Sequence, residues 1–355
     1  TFTTGNWDSS QTFTVQAVND SIDEASPHFD TVTHAATSTD GVYDGILVAS
    51  VSVSVADDDT AGVTVSESAG STDVDENGAT TDTYDVVLDS RPTAAVTITP
   101  SFGADVSVTP ASITILPNDC ATGGSFWVSE VYDLIDEFDP HTAVVSHVAG
   151  SVDSLYGGIS VASVSVSVAD DDTAGVTVSE SAGSTDLDED GATSDTYTVV
   201  LTSRPTANVD IAQSFGADVS VTPASHTFTP SMWATPLTFT VTAVDDTIDE
   251  FDPHFATITH DATSTDSNYA VVAVADVVAS VADDDDAGVT IVESGGSTLV
   301  SEVGPSSDTY TVRLDSAPSS SVTVTPSFGA DVTVTPASLV FTTGNWASTQ
   351  TFTVT

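Results

Sequence analysis

SVADDDTAGVTVSE, residues 54–67, recurs unchanged at 167–180 and, as SVADDDDAGVTIVE, at 280–293. A valine-rich strand runs into Asp57, Asp58 and Asp59, the chain turns at Ala61 and Gly62, and a second alternating strand leaves with Glu67. Successive side chains on a strand point to opposite faces, so an apolar period of two marks a half-buried strand. The stretch therefore reads as a joint at which one β-domain ends and the next begins.

Working outward, the same spacing governs the whole chain. Asp57, Asp170 and Asp283 stand 113 residues apart, as do Tyr84, Tyr197 and Tyr310, and the pairs Asp23-Glu24, Asp136-Glu137 and Asp249-Glu250. Thr4-Gly5-Asn6-Trp7 returns at Thr343-Gly344-Asn345-Trp346, a shift of three repeats. Such a fixed period is the mark of a tandem array. The expected division is a C-terminal part of one repeat at 1–59, complete repeats at 61–172 and 174–285, and an N-terminal part at 287–355, a window on a longer array.

Within 61–172 the apolar positions alternate in runs around Val63, Val86, Ile98, Val106, Ile113, Phe126, His141–His147 and Val166. Gly, Pro, Asp and Ser turns separate them, and no run carries a helical stripe. Seven or eight antiparallel strands of this length predict an all-β chain of tandem immunoglobulin-like β-sandwiches. The repeat departs from its pattern at 116–130, where Cys120 takes the place of Trp7, Trp233 and Trp346 while Phe126 still matches Phe13, Phe239 and Phe352. The strand is expected to survive there. A lone cysteine in an acidic chain lacks the electropositive setting that makes a thiol reactive, and no disulfide framework exists.

The chain carries 53 acidic residues against 3 basic ones, a formal charge of -50, yet 39% of its residues are hydrophobic. It can bury cores, so it is not a disordered acidic tail. It repels nucleic acid and anionic membrane surfaces and attracts cations. Clustered carboxylates repel one another unless counter-ions sit among them, which points to bound divalent metal. A surface adapted to high salt fits the same totals, and the two can coexist. Tyr269–Ala275 is the longest apolar run and ends at Asp276, far short of the roughly 18 residues a membrane-spanning helix needs.

Four features recur in order: a glutamate in the first strand, an acid after a mid-domain glycine, a DD-x-x-x-E segment after a phenylalanine-led strand, and a terminal aspartate run. This order resembles the Calx-beta family. The resemblance implies β-sandwiches that bind calcium at one end, next to the linker. Carried over residue by residue, it implies Glu180, Asp218, Asp245, Asp246, Glu250, Asp283, Asp284 and Asp285 as ligands in one repeat. In the preceding repeat it implies Glu67, Asp105, Asp133, Glu137, Asp170, Asp171 and Asp172, with Tyr132 replacing one of the paired aspartates. Asp20, Glu24, Asp57, Asp58 and Asp59 are the equivalents before them. Calcium takes six to eight oxygens in a flexible cage, which separate loops can supply. Solvation of a linker would explain an aspartate run but not acids recurring in three loops.

Asp73-Val74-Asp75-Glu76-Asn77-Gly78 has the opening of an EF-hand loop, but Tyr84 stands where the bidentate glutamate is required, so an acidic hairpin turn is expected. His28 and His34, His141 and His147, and His254 and His260 recur six residues apart. On a strand that is about 20 Å, too far for one metal ion, so they are expected to cap the two ends of a strand. No nucleophile, acid-base pair or phosphate loop is present in a plausible context, and an enzyme is not expected.

The expectation for function is a structural repeat region of an extracellular or cell-surface filament, stalk or sheath, with calcium stiffening the joints. Its partners would be neighbouring repeats or copies of itself, including strand addition between incomplete sandwiches. The alternative is an adhesin or ligand-binding module that presents a glycan or cell-surface recognition face, for which the divergent 116–130 segment with Trp127 and nearby Tyr132 is the candidate.

Overall fold

A computed structural model describes every residue except Ala79 and Pro305. The chain is all-β, and its contacts divide it into two compact units, Thr1–Asp133 with Glu137–Asp171, and Leu134–Asp136 with Asp172–Thr355.

The first unit opens with β1 (His28–Val32) and β2 (Val51–Val55), an antiparallel pair. It continues through β3 (Val63–Glu67), β4 (Thr72–Asp75), β5 (Thr81–Leu88), β6 (Val96–Ser101) and β7 (Val106–Thr109). β8 (Ile113–Ile115), β9 (Gly124–Glu130), β10 (His141–Gly150) and β11 (Val164–Ala169) follow. Two sheets result, in the orders β3-β5-β9-β7 and β4-β11-β10-β6-β8. Their inner faces close on one core in which Tyr84, Val86, Ile98, Phe126, Val145 and Val166 are at most 1% exposed. Each such side chain contributes roughly 1.5–3 kcal/mol by leaving water.

The second unit repeats this arrangement. It has β12 (Val176–Glu180), β13 (Thr185–Asp188), β14 (Ser194–Leu201), β15 (Val209–Ser214) and β16 (Val219–Thr222). Next come β17 (Ser225–Phe228), β18 (Leu237–Ala243), β19 (His254–Ser264) and β20 (Val277–Ala282). The sheet orders are β12-β14-β18-β16 and β13-β20-β19-β15-β17. The remaining strands, β21 (Val289–Glu293), β22 (Asp308–Leu314), β23 (Val322–Val324), β24 (Val334–Thr335), β25 (Leu339–Phe341) and β26 (Gln350–Val354), build a smaller core around Val312, Phe341 and Phe352.

The complete repeats thus carry nine strands where the alternation predicts seven or eight. The extra strand is the one read as an acidic turn. In β4, Thr72 and Val74 face the core at 1% and 3% exposure while Asp73 faces out, and the turn comes only after Asp75. β4 pairs in parallel with β11, as β13 does with β20, so the second sheet is mixed rather than antiparallel. Four residues with two acids hide their alternation from a reading by composition.

The histidines also differ from expectation. His141 and His254 do open their strands, but His147 and His260 lie inside β10 and β19. There the Tyr84 hydroxyl meets His147 Nε2 at 2.8 Å and the Tyr197 hydroxyl meets His260 Nε2 at 2.9 Å. At 116–130 the strand survives as β9, with Phe126 fully buried. Cys120 packs partly buried against the core as Trp233 does in its own repeat, and both keep the same backbone bond, Leu88 N to Cys120 O at 3.1 Å and Leu201 N to Trp233 O at 3.3 Å. The repeated Ala-Gly has a physical reason as well: a Cβ on Gly62 would lie 2.1 Å from Asp89 Oδ2.

Candidate metal centre

The topology gathers one end of each sandwich. Because β4 and β11 run parallel, Glu76 follows at the end where β11 gives way to Asp170, and Glu76 N donates to Ala169 O at 3.1 Å. β10 runs against β11, so His141 starts opposite Val168 at that same end, with Glu137 four residues before it. β9 finishes there too, and Val131 N donates to Asp105 O at 2.9 Å. The acids are therefore brought together by sheet pairing rather than by proximity in sequence.

The geometry is fullest in the second unit. Glu189, Glu250 and His254 each offer a ligand atom, and these lie within 4.8 Å of one another. His254 Nε2 is 3.3 Å from Glu250 Oε2 and 3.7 Å from Glu189 Oε1. Glu189 is 1% exposed and its Oε2 has no hydrogen-bond partner. Burial, then the charge of Glu250, pushes its carboxyl up to about 7 against the pull of His254. Glu250 N donates to Asp283 Oδ2 at 3.1 Å, while Asp283 Oδ1 is buried without a partner. Burial also raises the Glu250 carboxyl, His254 opposing and the charges of Asp218, Asp246 and Asp283 adding to it. Asp285 is raised by burial and then by Asp284, Asp283, Asp246 and Asp245, and Asp284 by burial and then chiefly by Asp245. Of the carboxylates expected here, Asp218, Asp245, Asp246 and Asp283 thus each act on Glu250, Asp284 or Asp285.

In the first unit, Glu137 N donates to Asp170 Oδ2 at 3.1 Å and its carboxylate lies 3.2 Å from His141 Nε2. Burial raises its carboxyl, His141 lowers it, and Asp133, Asp105 and Asp170 raise it further. Glu76, 4% exposed, places a carboxylate oxygen within 4.8 Å of one from Asp171. Asp172 falls in the second unit. Nearer the start of the chain, Asp57, Asp58 and Asp59 hold oxygens within 4.8 Å of one another beside a cavity of about 370 Å³ that Asp20 and Glu24 also line. Glu24 N donates to Asp57 Oδ2 at 3.1 Å, and Glu24 pairs with His28 at 3.4 Å. The Asp59 carboxyl is raised by burial and then by Asp57, Asp58, Asp20 and Asp23.

Glu67 and Glu180 are not brought to these clusters. Their carboxylates accept the hydroxyls of Thr72 at 2.8 Å and Thr185 at 2.7 Å, and among the described residues neither belongs to a close acidic group. The glutamates that do reach the clusters are Glu76 and Glu189, which lie in the segments expected to be acidic turns. A signal for them exists. Thr72, Val74 and Glu76 share one face by the period of two, and where Asp73 and Asp75 become Leu299 and Ser301 two repeats later, Glu302 remains.

The neighbouring Asp has a separate task. Asp23 Oδ2 accepts Ala61 N at 2.7 Å in the first unit, and in the second Asp136 and Asp249 accept Ala174 N and Ala287 N at 2.8 and 3.0 Å. The Asp-Glu pair therefore divides its labour: the aspartate ties down the Ala-Gly segment and the glutamate faces the cluster. Partnerless buried oxygens on Glu189 and Asp283 stand among additional carboxylates, a set of donors that could hold a hard divalent cation, which wants many oxygens.

No protein-family model matches the chain, and no curated protein does. Among solved structures it is similar to CBD12 from CALX1.2, at 11% identity over 57% of this chain and 82% of that one, with a TM-score of 0.24. It is also similar to the apo-form Calx CBD1 domain, at 14% identity over 31% and 98% with a TM-score of 0.23, and to the E. coli chaperone DraB, at 11% over 62% and 98% with a TM-score of 0.23. Among the described residues no helix is long and apolar enough to cross a membrane.

Proposed function

We propose that the chain is a run of calcium-binding β-sandwich repeats with a structural, non-enzymatic role in an extracellular or cell-surface stalk or filament. The observation that carries the metal reading is Glu189: a carboxylate 1% exposed, with one oxygen unpartnered and further carboxylates beside it. An unpaired buried charge is too costly to persist without a compensating ion or proton. A calcium ion supplies that compensation and asks for oxygens, which Asp218, Asp245, Asp246, Glu250 and Asp283–Asp285 provide. The structural role is supported by the fixed 113-residue period, which gives each repeat the same neighbour.

Calorimetric titration of the 355-residue chain with calcium and with magnesium tests this. Saturable calcium uptake, a higher melting temperature with calcium and its reversal by chelator are expected. Unchanged melting and no heat of binding would refute the metal reading; unchanged scattering on chelation would refute stiffening alone.

A second reading has one observation in its favour. Trp127 on the outer face of β9 is 52% exposed, paired across the sheet with Thr83 and Thr109, where the other repeats have Thr240 and Thr353. An exposed indole ringed by hydroxyls suits stacking on a neutral sugar. Quenching of tryptophan fluorescence by neutral oligosaccharides, lost in Trp127→Thr, is its test.

A further inference from the structure

We propose that Glu189, Glu250 and His254 form a site for a borderline transition ion, zinc being the simplest probe, which shares Glu189 and Glu250 with the calcium cage and differs from it by a nitrogen ligand, so that the two ions compete for this corner. The inference rests on the reading that this end of the sandwich holds metal, and it names which metal the inner corner prefers.

The discriminating atom is an imidazole nitrogen. Calcium takes oxygen ligands, whereas imidazole suits zinc, copper, iron and nickel. His254 enters the corner as the first residue of β19, Glu189 as the residue after β13 and Glu250 from the loop before β19, so three separate positions converge. Zinc holds nitrogen and oxygen at about 2.0–2.2 Å, which sets ligand atoms of a tetrahedral site about 3.3–3.6 Å apart. The separations from His254 Nε2 are 3.3 and 3.7 Å.

The second observation is what these groups lack. Glu189 is 1% exposed with Oε2 unpartnered, and neither nitrogen of His254 makes a hydrogen bond although both are buried. Elsewhere on the same strand His260 has both nitrogens engaged, so burial of a histidine in this fold does not by itself leave it unpartnered. Three protein ligands with a fourth position left for water is a zinc arrangement. The competing account of the corner is a protonated His254 clasped by two carboxylates with no metal.

The test is zinc titration of the full chain, first without calcium and then with it, followed by calorimetry and by nitrogen NMR of the histidine rings. The expected result is a shift of the His254 ring resonances on adding zinc, an intense visible absorption when cobalt is used instead, and the loss of one site from the stoichiometry in His254→Gln. Loss of an outer-shell partner already weakens metal binding about tenfold or more, so loss of this direct ligand should weaken zinc at least that far while calcium affinity stays within about twofold. His226→Gln serves as the control. Calcium binding with His254 resonances unmoved by zinc would overturn this inference and leave the calcium reading standing. Zinc binding without calcium binding would do the reverse, and absence of both would remove the two together. The NMR arm uses the unaltered chain, so a variant that folds poorly does not decide the matter.

Discussion

His254 and His260 lie on one strand and have opposite surroundings. His260 sits inside a closed network: its Nδ1 meets Ala275 O at 2.9 Å, its Nε2 meets the Tyr197 hydroxyl at 2.9 Å, and Tyr197 stacks on Phe239 with ring centroids 5.2 Å apart. The carbonyl fixes the proton on Nδ1, so the tyrosine donates to Nε2. His254, six residues earlier, stands beside two glutamates without a hydrogen bond. A polar group whose valences are met by the protein stabilises the fold, and one whose valences are left open is held ready for something else. The same contrast holds one repeat earlier between His147, bonded to Tyr84 and Ala162, and His141 beside Glu137.

The largest effect should come from breaking the closed end. Tyr197→Ala removes a fully buried ring and is expected to destabilise its repeat by roughly 3–5 kcal/mol in urea unfolding, with Tyr84→Ala matching it in the other complete repeat. A loss below about 1 kcal/mol would mean that the network is not structural. At the open end, calcium at a hundred times its dissociation constant should add about 2.7 kcal/mol. Glu189→Gln should remove most of that increment, and Tyr197→Phe should leave it intact. A third change is smaller: Tyr197→Phe keeps the ring but strands His260 Nε2, at a cost of about 1–3 kcal/mol.

The smallest effect separates the ends by the sign of their pH dependence in metal-free protein. Burial pushes the His260 imidazole below its ordinary 6.5, so its contribution is full above pH 6.5 and is lost as pH falls from there. Glu189 is raised from 4.5 to about 7, so its contribution is full below pH 4.5 and is lost as pH rises through about 7. Between these limits the two slopes oppose each other. His260→Gln should leave stability falling with rising pH and Glu189→Gln should leave it rising, and equal profiles for the two variants would break the comparison.

Much of this was legible before any coordinates. The 113-residue period, the all-β character and the core positions Tyr84, Val86, Ile98, Phe126 and Val166 all follow from alternation and recurrence. The acids of the AVDDTIDE and DDDD segments were legible as a group for the same reason. Glu67 and Glu180 each end an obvious strand and are conspicuous, while Glu76 and Glu189 follow four-residue strands and are masked by the aspartates around them. The division of labour within Asp249-Glu250 was equally hidden, since adjacent acids look alike until one of them meets Ala287 N.

Periodicity is a local property, written in each strand by which side chains it can bury, and it survives in the bare order of residues. Which carboxylates share a site is not local. It depends on β13 lying parallel to β20, on β19 running back against it, and on the register that sets His254 opposite Val281 and Asp188 opposite Ala282. Those pairings are chosen by the packing of the whole core. They are why His260 closes a network on Tyr197 and why His254, on the same strand, faces Glu189 and Glu250.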